Sequence, residues 1–287
     1  MSAAPSVARP SLQRAWRTAR GGPGVIVAGA ALAAIVASAA LGPLVAPYDP
    51  HQPFVGQPFE PASFEHWLGT DAIGRDVLSR ILAGAPGSVL PPFVVAVGAT
   101  LLGAIVGVTA AWCGRAVDWW LSRVVDVIFA VPGLVLAVLA VAMFGKGLVA
   151  PSIALVISSL PLTARLIRVT ARVELSKPYV EALHVQGTGR LAVWGRHLAP
   201  ALAPTLLAQA TIGFAYAMLD LAAISYLGLG VQPPSADWGS MIADGQAAIL
   251  QGHPGQSLAA ATLVLATVLS VSVLGAHATT WAEGTDT

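Results

Sequence analysis

The sequence has a single cysteine, Cys113, and only 10% of its 287 residues are charged. A lone cysteine cannot form an intrachain disulfide, and it excludes a metal cluster built from cysteines. Soluble domains carry about 25% charged residues, so the low charge excludes both an ordinary globular enzyme and a disordered chain. The formal net charge of +1 provides no basic surface for nucleic acid.

Long apolar runs dominate what is present. Hydrophobic residues make up 56% of the chain, and its mean hydropathy is +0.74. A bilayer core about 30 Å thick needs roughly 20 apolar residues per helix, and backbone polar groups in lipid must be satisfied within each helix. We therefore predict an all-α, polytopic membrane protein with six transmembrane helices. The predicted spans are Val25–Val45, Val89–Trp112, Trp119–Phe144, Leu148–Ala164, Leu206–Leu227 and Ser257–Ala276.

The first apolar run has a second interpretation as a signal peptide. Arginines precede it, and the small residues Ala37, Ser38 and Ala39 resemble a cleavage site. The run continues past them to Val45, which is long enough to span the membrane and favours a retained helix.

The distribution of lysine and arginine predicts the orientation. If six helices alternate, twelve of the fifteen cations fall on one side, so we expect the N- and C-termini to be cytoplasmic. The predicted segments are a cytoplasmic tail 1–24, the first span 25–45, an extracytoplasmic loop 46–88 with an amphipathic helix, a five-helix core 89–276, and a tail 277–287. The core includes a cytoplasmic loop 165–205 and an extracytoplasmic loop 228–256.

The cytoplasmic loop is predicted to fold as a helical hairpin. One short helix runs through Gln186, Gly187 breaks it, a second helix runs through Leu198, and Pro200 ends that helix. Such a hairpin presents a compact knob to a cytoplasmic partner. An amphipathic connector lying in the membrane interface is the alternative.

Glu181, Ala182, Gly187 and Pro200 stand at the spacing of the EAA loop, so the segment resembles the coupling loop of ABC-importer permeases. Leu183 replaces the usual second alanine, and an alanine precedes the proline where leucine is usual. The resemblance implies that this helix sits in a groove of an ATPase subunit, with Glu181 anchoring the contact and Gly187 shaping it. Ala182, His197 and Pro200 belong to the same implied contact.

Two extracytoplasmic segments form further motifs, residues 66–80 and 225–241. In the first, Thr70 or Asp71 is predicted to cap an amphipathic helix, on which Asp76 and Arg80 form an i,i+4 pair. This helix is either a structural foot of the bundle or a docking surface for a substrate-binding protein. The candidate docking residues are Asp71, Arg75, Asp76, Arg80 and, in the second segment, Trp238.

The same two segments strongly resemble the GTD…GRDVLSR and SFLGLGVQPP…WGSM motifs of dipeptide/oligopeptide/nickel permeases, specifically the C-type partner of the permease pair. This resemblance implies a type I ABC-importer permease fold in a bacterial inner membrane. It implies as partners a second permease, two ATPases that bind ATP and Mg²⁺, and an external binding protein, with no cofactor on this chain. The implied cargo is di- or oligopeptides; importers of nickel, metal chelates or opines share these motifs.

Asp220 lies deep in the fifth predicted span, where an unpaired carboxylate is costly. It either lines the translocation path or bonds to a partner permease. The six histidines show no metal-ligand spacing, and we find neither a nucleophile-plus-base pattern nor a phosphate loop, so we expect no metal site and no enzyme activity on this chain. An ion-coupled secondary transporter that uses Asp220 and a non-transporting scaffold that recruits an ATPase remain the rival functions.

Overall fold

A computed structural model describes residues 22–284 of the chain, without the side chains of 184, 190, 191 and 281–284. Residues 1–21, with their four arginines, and residues 285–287 lie outside the described part. Residues 22–284 are mostly helical and contain no strand. The helices are α1 Pro23–Val45, α2 Val77–Trp112, α3 Arg115–Phe129, α4 Gly133–Phe144, α5 Val149–Leu175, α6 Pro178–Val185, α7 Arg190–Val193, α8 Ala199–Tyr226, α9 Trp238–Asp244, α10 Gln246–Leu250 and α11 Gly255–Gly284; a π-helical turn, Trp194–Leu198, joins α7 to α8.

Five segments are long and apolar enough to cross a membrane, and the pair α3–α4 would be a sixth if it counts as one span. The all-α polytopic prediction is therefore confirmed. The predicted third span, Trp119–Phe144, is wrong as a single helix, because α3 and α4 meet at an angle of 77°. Pro132 stands at the break, where it lacks the N–H that a continuous helix would need.

Three helices extend beyond the apolar runs that predicted the spans. The amphipathic helix is not separate from the second span, since α2 runs without interruption from Val77 for 36 residues. Helix α5 continues to Leu175, so Arg165, Arg168 and Arg172 lie on a span-forming helix rather than in the loop 165–205. Helix α11 continues to Gly284 through most of the predicted tail 277–287.

Helix α2 lies at the centre of the bundle and packs against α1, α5 and α8. Its approach to α5 depends on two glycines. A Cβ atom added to Gly103 would lie 2.6 Å from the Thr163 Cβ, and one added to Gly107 would lie 2.6 Å from the Ala164 carbonyl oxygen. Glycines four residues apart let two membrane helices approach closely, so this spacing fixes the α2–α5 contact.

Candidate coupling and docking sites

Helix α6 presents the residues that resemble the EAA loop. Val180 is buried and anchors the helix, while Glu181 and Ala182 are exposed. Gly187 has a φ of +77°, and the Thr188 N–H bonds the Leu183 carbonyl at 3.0 Å. A glycine in this left-handed conformation is the common end of an α-helix, so the predicted break at Gly187 is confirmed.

Tyr179 and Lys177 fix the start of α6 to the end of α5. The Tyr179 hydroxyl donates to Glu174 Oε1 at 2.7 Å, and Lys177 Nζ lies 2.7 Å from Glu174 Oε2. Burial, together with the hydrogen bond to Glu174, raises the pKa of Tyr179 to about 12. The Tyr179 ring also faces His197 at a centroid distance of 6.0 Å, which links the two halves of the cytoplasmic loop.

An open groove of about 840 Å³ runs along α6. Glu181 and Val180 line one side, and Ala111, Trp112 and Leu175 from the ends of α2 and α5 line the other. The groove therefore lies between the exposed helix α6 and the ends of two span-forming helices.

Pro200 does not end a helix, contrary to the sequence-based expectation. It lies in the first turn of α8, directly after the π-helical turn Trp194–Leu198. Proline is tolerated at a first turn because the N–H groups there lack partners within the helix. The second half of the cytoplasmic loop is therefore rigidly continuous with the fifth span.

Two sets of ion pairs join α3 to α5 close to this groove. Asp118 accepts from Arg168 Nη2 at 2.8 Å and lies 2.6 Å from Arg172 Nη2. Asp126 accepts from Arg165 Nη2 at 2.6 Å. Sequence reasoning used these arginines only for orientation and did not single out Asp118, because their partners are about 40 to 50 residues away in the chain.

At the other end of the molecule, Asp71 organises the outer loops. Its Oδ1 accepts from the backbone N–H groups of Ile73, at 2.9 Å, and Arg75, at 3.0 Å. Its Oδ2 accepts from Arg75 Nε at 2.6 Å and from Arg80 Nη1. Arg80 Nη2 also donates to Asp244 Oδ2 at 3.1 Å, which ties α2 to α9 across the loop 228–256.

The predicted pair of Asp76 with Arg80 is wrong, and so is the predicted cap at Thr70 or Asp71. Asp76 is itself the N-cap of α2, where its Oδ2 accepts from the Ser79 N–H at 2.8 Å. Its Oδ1 lies 3.0 Å from His66 Nδ1. An N-cap carboxylate turns toward the first backbone N–H groups of its helix, so Asp76 is directed away from Arg80.

Trp238 locks α9 against α2. Its backbone N–H donates to Ser88 Oγ at 2.9 Å, and its indole Nε1 donates to the Ile81 carbonyl at 3.1 Å. Asp237 starts α9 through a capping box with Ser240. Burial raises the pKa of the Asp237 carboxyl, whereas hydrogen bonds from Ser225 and Ser240 oppose that rise.

Four of the five residues predicted to dock a binding protein are buried inside the chain. Asp71, Asp76, Arg80 and Trp238 expose only 3%, 1%, 2% and 1% of their surface. They are therefore too buried to contact a binding protein directly, so the docking prediction is wrong for these four residues. Their role is structural, because they give the outer surface its shape. Arg75 is the member of this set that stays partly exposed.

Asp220 is half-buried in α8, and no ion pair or hydrogen bond from the described side chains reaches it. It lies apart from both the coupling groove and the outer network. An ionised carboxylate at such a position needs a partner or a water-filled cavity.

The comparisons with known proteins show the family. Residues 99–281 match the family described as binding-protein-dependent transport system inner membrane component, and residues 11–62 match the N-terminal TM domain of oligopeptide transport permease C. The chain is 36% identical to the di/tripeptide transport system permease protein DppC of Pseudomonas aeruginosa over 94% of this chain and 91% of the relative. It is also 36% identical to the dipeptide transport system permease protein DppC of Escherichia coli, over 81% and 80% of the two chains.

A solved structure supports the same fold. An inward-facing conformation of the MetNI methionine ABC transporter contains a chain that superposes with a TM-score of 0.56 at 19% sequence identity. The match covers 69% of this chain and 94% of the solved one. Together with the helical bundle, these matches show that the chain is a multi-pass inner-membrane permease that belongs to the family of binding-protein-dependent ABC transport components.

Proposed function

We propose that this permease is one of two non-identical membrane subunits of an ATP-driven importer for di- and oligopeptides, and that α6 is its contact with an ATPase. Relatives that match most of the chain are di/tripeptide and dipeptide transport permeases, which supports the peptide cargo. The observation that carries the coupling role is the exposed Glu181 on the rim of a groove formed with α2 and α5. ATP and Mg²⁺ would bind to the ATPase subunits.

ATP binding closes the ATPase pair and carries α6 with it in this proposal. Val180 is buried and the Tyr179–Glu174 bond ties α6 to α5. The movement of α6 is therefore passed to the bundle, which changes between inward- and outward-facing states. ATP thus shifts a conformational equilibrium through a site on another subunit. A binding protein delivers the peptide to the outer loops, where the partly exposed Arg75 lies on the surface shaped by Asp71, Asp76, Arg80 and Trp238. The N- and C-termini are cytoplasmic in this orientation.

The test compares Glu181→Ala and Gly187→Asp with the wild-type complex, reconstituted into vesicles with its ATPases, second permease and binding protein. We expect both variants to insert into the membrane normally and to lose most of the labelled dipeptide uptake, since Glu181 anchors the contact and an aspartate at φ +77° is strained. Glu65→Gln, an exposed change in the outer loop, is the control. Normal uptake by both variants would refute the coupling role, and accumulation of nickel instead of dipeptide would change the cargo.

A further inference from the structure

A cavity of about 500 Å³ opens on the outer side between the loops 46–88 and 228–256. Five charged side chains line it: Asp71, Arg75, Arg80, Lys146 and Asp244. Cavities of about 300–1,000 Å³ are the usual size of small-molecule sites. Its polar, mixed-charge lining sets this cavity apart from the mostly apolar grooves of the chain, such as the one lined by Leu136, Leu139 and Met143.

Most of the charge in the cavity is already neutralised. Asp71 accepts four hydrogen bonds, from the backbone of Ile73, from the backbone and side chain of Arg75, and from Arg80. Arg80 is 2% exposed and bridges Asp71 to Asp244. These groups form a fixed floor, and the charges that a ligand can reach lie at its edges.

Two opposite charges remain accessible. Lys146 is exposed and contacts only Gln232 Oε1, at 3.4 Å, among the described side chains. The Asp244 side chain is 50% exposed and uses one oxygen, Oδ2, for a single bond of 3.1 Å. Its Oδ1 has no partner within residues 22–284. The cavity therefore offers one ammonium and one carboxylate oxygen.

A buried polar atom in the floor also lacks a partner. Arg80 Nε is shielded from solvent, and no described group accepts from it. A buried donor without an acceptor is destabilising, so an ordered water or a polar group that reaches Arg80 Nε would stabilise this part of the cavity. This observation is independent of the two edge charges.

We propose that this cavity is a transit subsite for short zwitterionic peptides, in which Lys146 takes the C-terminal carboxylate and Asp244 takes the N-terminal ammonium. This assignment rests on the proposed function. It goes beyond that function by naming the place at which the permease itself recognises the peptide. Opposite charges at the two ends select for free termini rather than for side chains. Contacts at the exposed edges are weak, as passage requires a site that releases its ligand again.

The experiment measures binding of Ala-Ala to the complete importer complex in lipid nanodiscs, without the binding protein, by saturation-transfer NMR. N-acetyl-Ala-Ala and Ala-Ala-amide report on the two termini separately. The wild-type complex should bind each blocked peptide about fivefold more weakly than Ala-Ala. Lys146→Gln should remove the discrimination against Ala-Ala-amide, and Asp244→Asn should remove the discrimination against N-acetyl-Ala-Ala.

Glu65→Gln, outside the cavity, is the control and should keep both preferences. Equal binding of blocked and free peptides by the wild type, or unchanged preferences in Lys146→Gln, would overturn the subsite. Lys146 carries no structural bond other than the one to Gln232. Lys146→Gln therefore tests the subsite even if Asp244→Asn disturbs the Arg80 network. A failure of the proposed function would give a different result from a failure of the subsite. A peptide-loaded binding protein would then not stimulate ATP hydrolysis by the wild-type complex.

Discussion

The partners that a carboxylate binds in this protein depend on the groups around it rather than on its spacing from other charges in the sequence. Asp71 and Asp76 stand five positions apart, yet one binds two arginines and the other caps a helix and contacts His66. The difference arises because the N-cap position directs its oxygens to backbone N–H groups. Charge spacing alone therefore assigned the wrong partner to Arg80.

Asp220 tests whether an intramembrane carboxylate serves transport or assembly. If Asp220 lines the translocation path, Asp220→Asn should lower dipeptide uptake about tenfold, an amount equivalent to about 1.4 kcal/mol, while the complex still assembles. Asparagine keeps the size of the side chain, but it removes the charge and replaces one acceptor oxygen with an NH2 donor. The measurement is uptake per complex, with complex yield determined from purified membranes. Equal loss of uptake and yield would contradict a role along the path and support a bond to the second permease.

Tyr179 provides a pH-dependent test of the coupling loop. Its folded-state pKa of about 12 lies above the usual value of 10.0, so the Tyr179 contact stabilises the fold below pH 10 and is lost as the pH rises through 12. We expect the difference in tyrosinate absorbance between the wild type and Tyr179→Phe to develop only above pH 11. A difference with a midpoint near 10 would contradict the bond to Glu174.

The contact of helices α2 and α5 depends on small residues. Gly103 and Gly107 allow the α5 backbone to approach α2, and the ion pairs from Asp118 and Asp126 on α3 then reach α5 from another side. Helix α5 is thereby held on two sides, although proline and serine interrupt its apolar sequence. This explains why a segment with a weak hydropathy pattern forms a 27-residue helix.

The glycine contact predicts a clear difference between two similar substitutions. Gly107→Val should destabilise the purified complex by about 1–3 kcal/mol, because its side chain would collide with the Ala164 carbonyl and with Ile167. Gly29→Val in α1 should have little effect, since nothing lies within 4 Å of a Cβ at that position. Thermal unfolding in detergent measures both. Similar melting temperatures for the two variants would mean that the α2–α5 approach is not tight.

For the whole molecule, α5 connects the two functional ends. Its cytoplasmic end carries Glu174, which binds Tyr179 of α6, and its outer end begins three residues after Lys146, which lines the outer cavity. A helix of this length spans about 40 Å at 1.5 Å per residue. If α6 contacts an ATPase as proposed, its movement would reach the outer cavity through this one helix.

The orientation of the molecule can be tested with its own cysteine. Cys113 is exposed between α2 and α3, on the side of the coupling groove. If this side is cytoplasmic, a membrane-impermeant maleimide should label Cys113 in inverted inner-membrane vesicles and not in intact spheroplasts. Cys113→Ser combined with Glu65→Cys, in the outer loop, should show the reverse pattern. Labelling of Cys113 in spheroplasts would invert the proposed topology.

The sequence by itself determined the membrane class, the approximate positions of the apolar segments, the helix break at Gly187 and the family. These properties depend on local patterns: apolar run length, the freedom of glycine at positive φ, and motif spacing. The tertiary structure alone decided the 77° break before Gly133, the continuity of α2 from Val77, and the partners of Arg80 and Asp118. The ion pairs of Arg80, Asp118 and Asp126 join residues about 40 to 160 positions apart in the chain, where burial and geometry rather than sequence spacing select which charges meet.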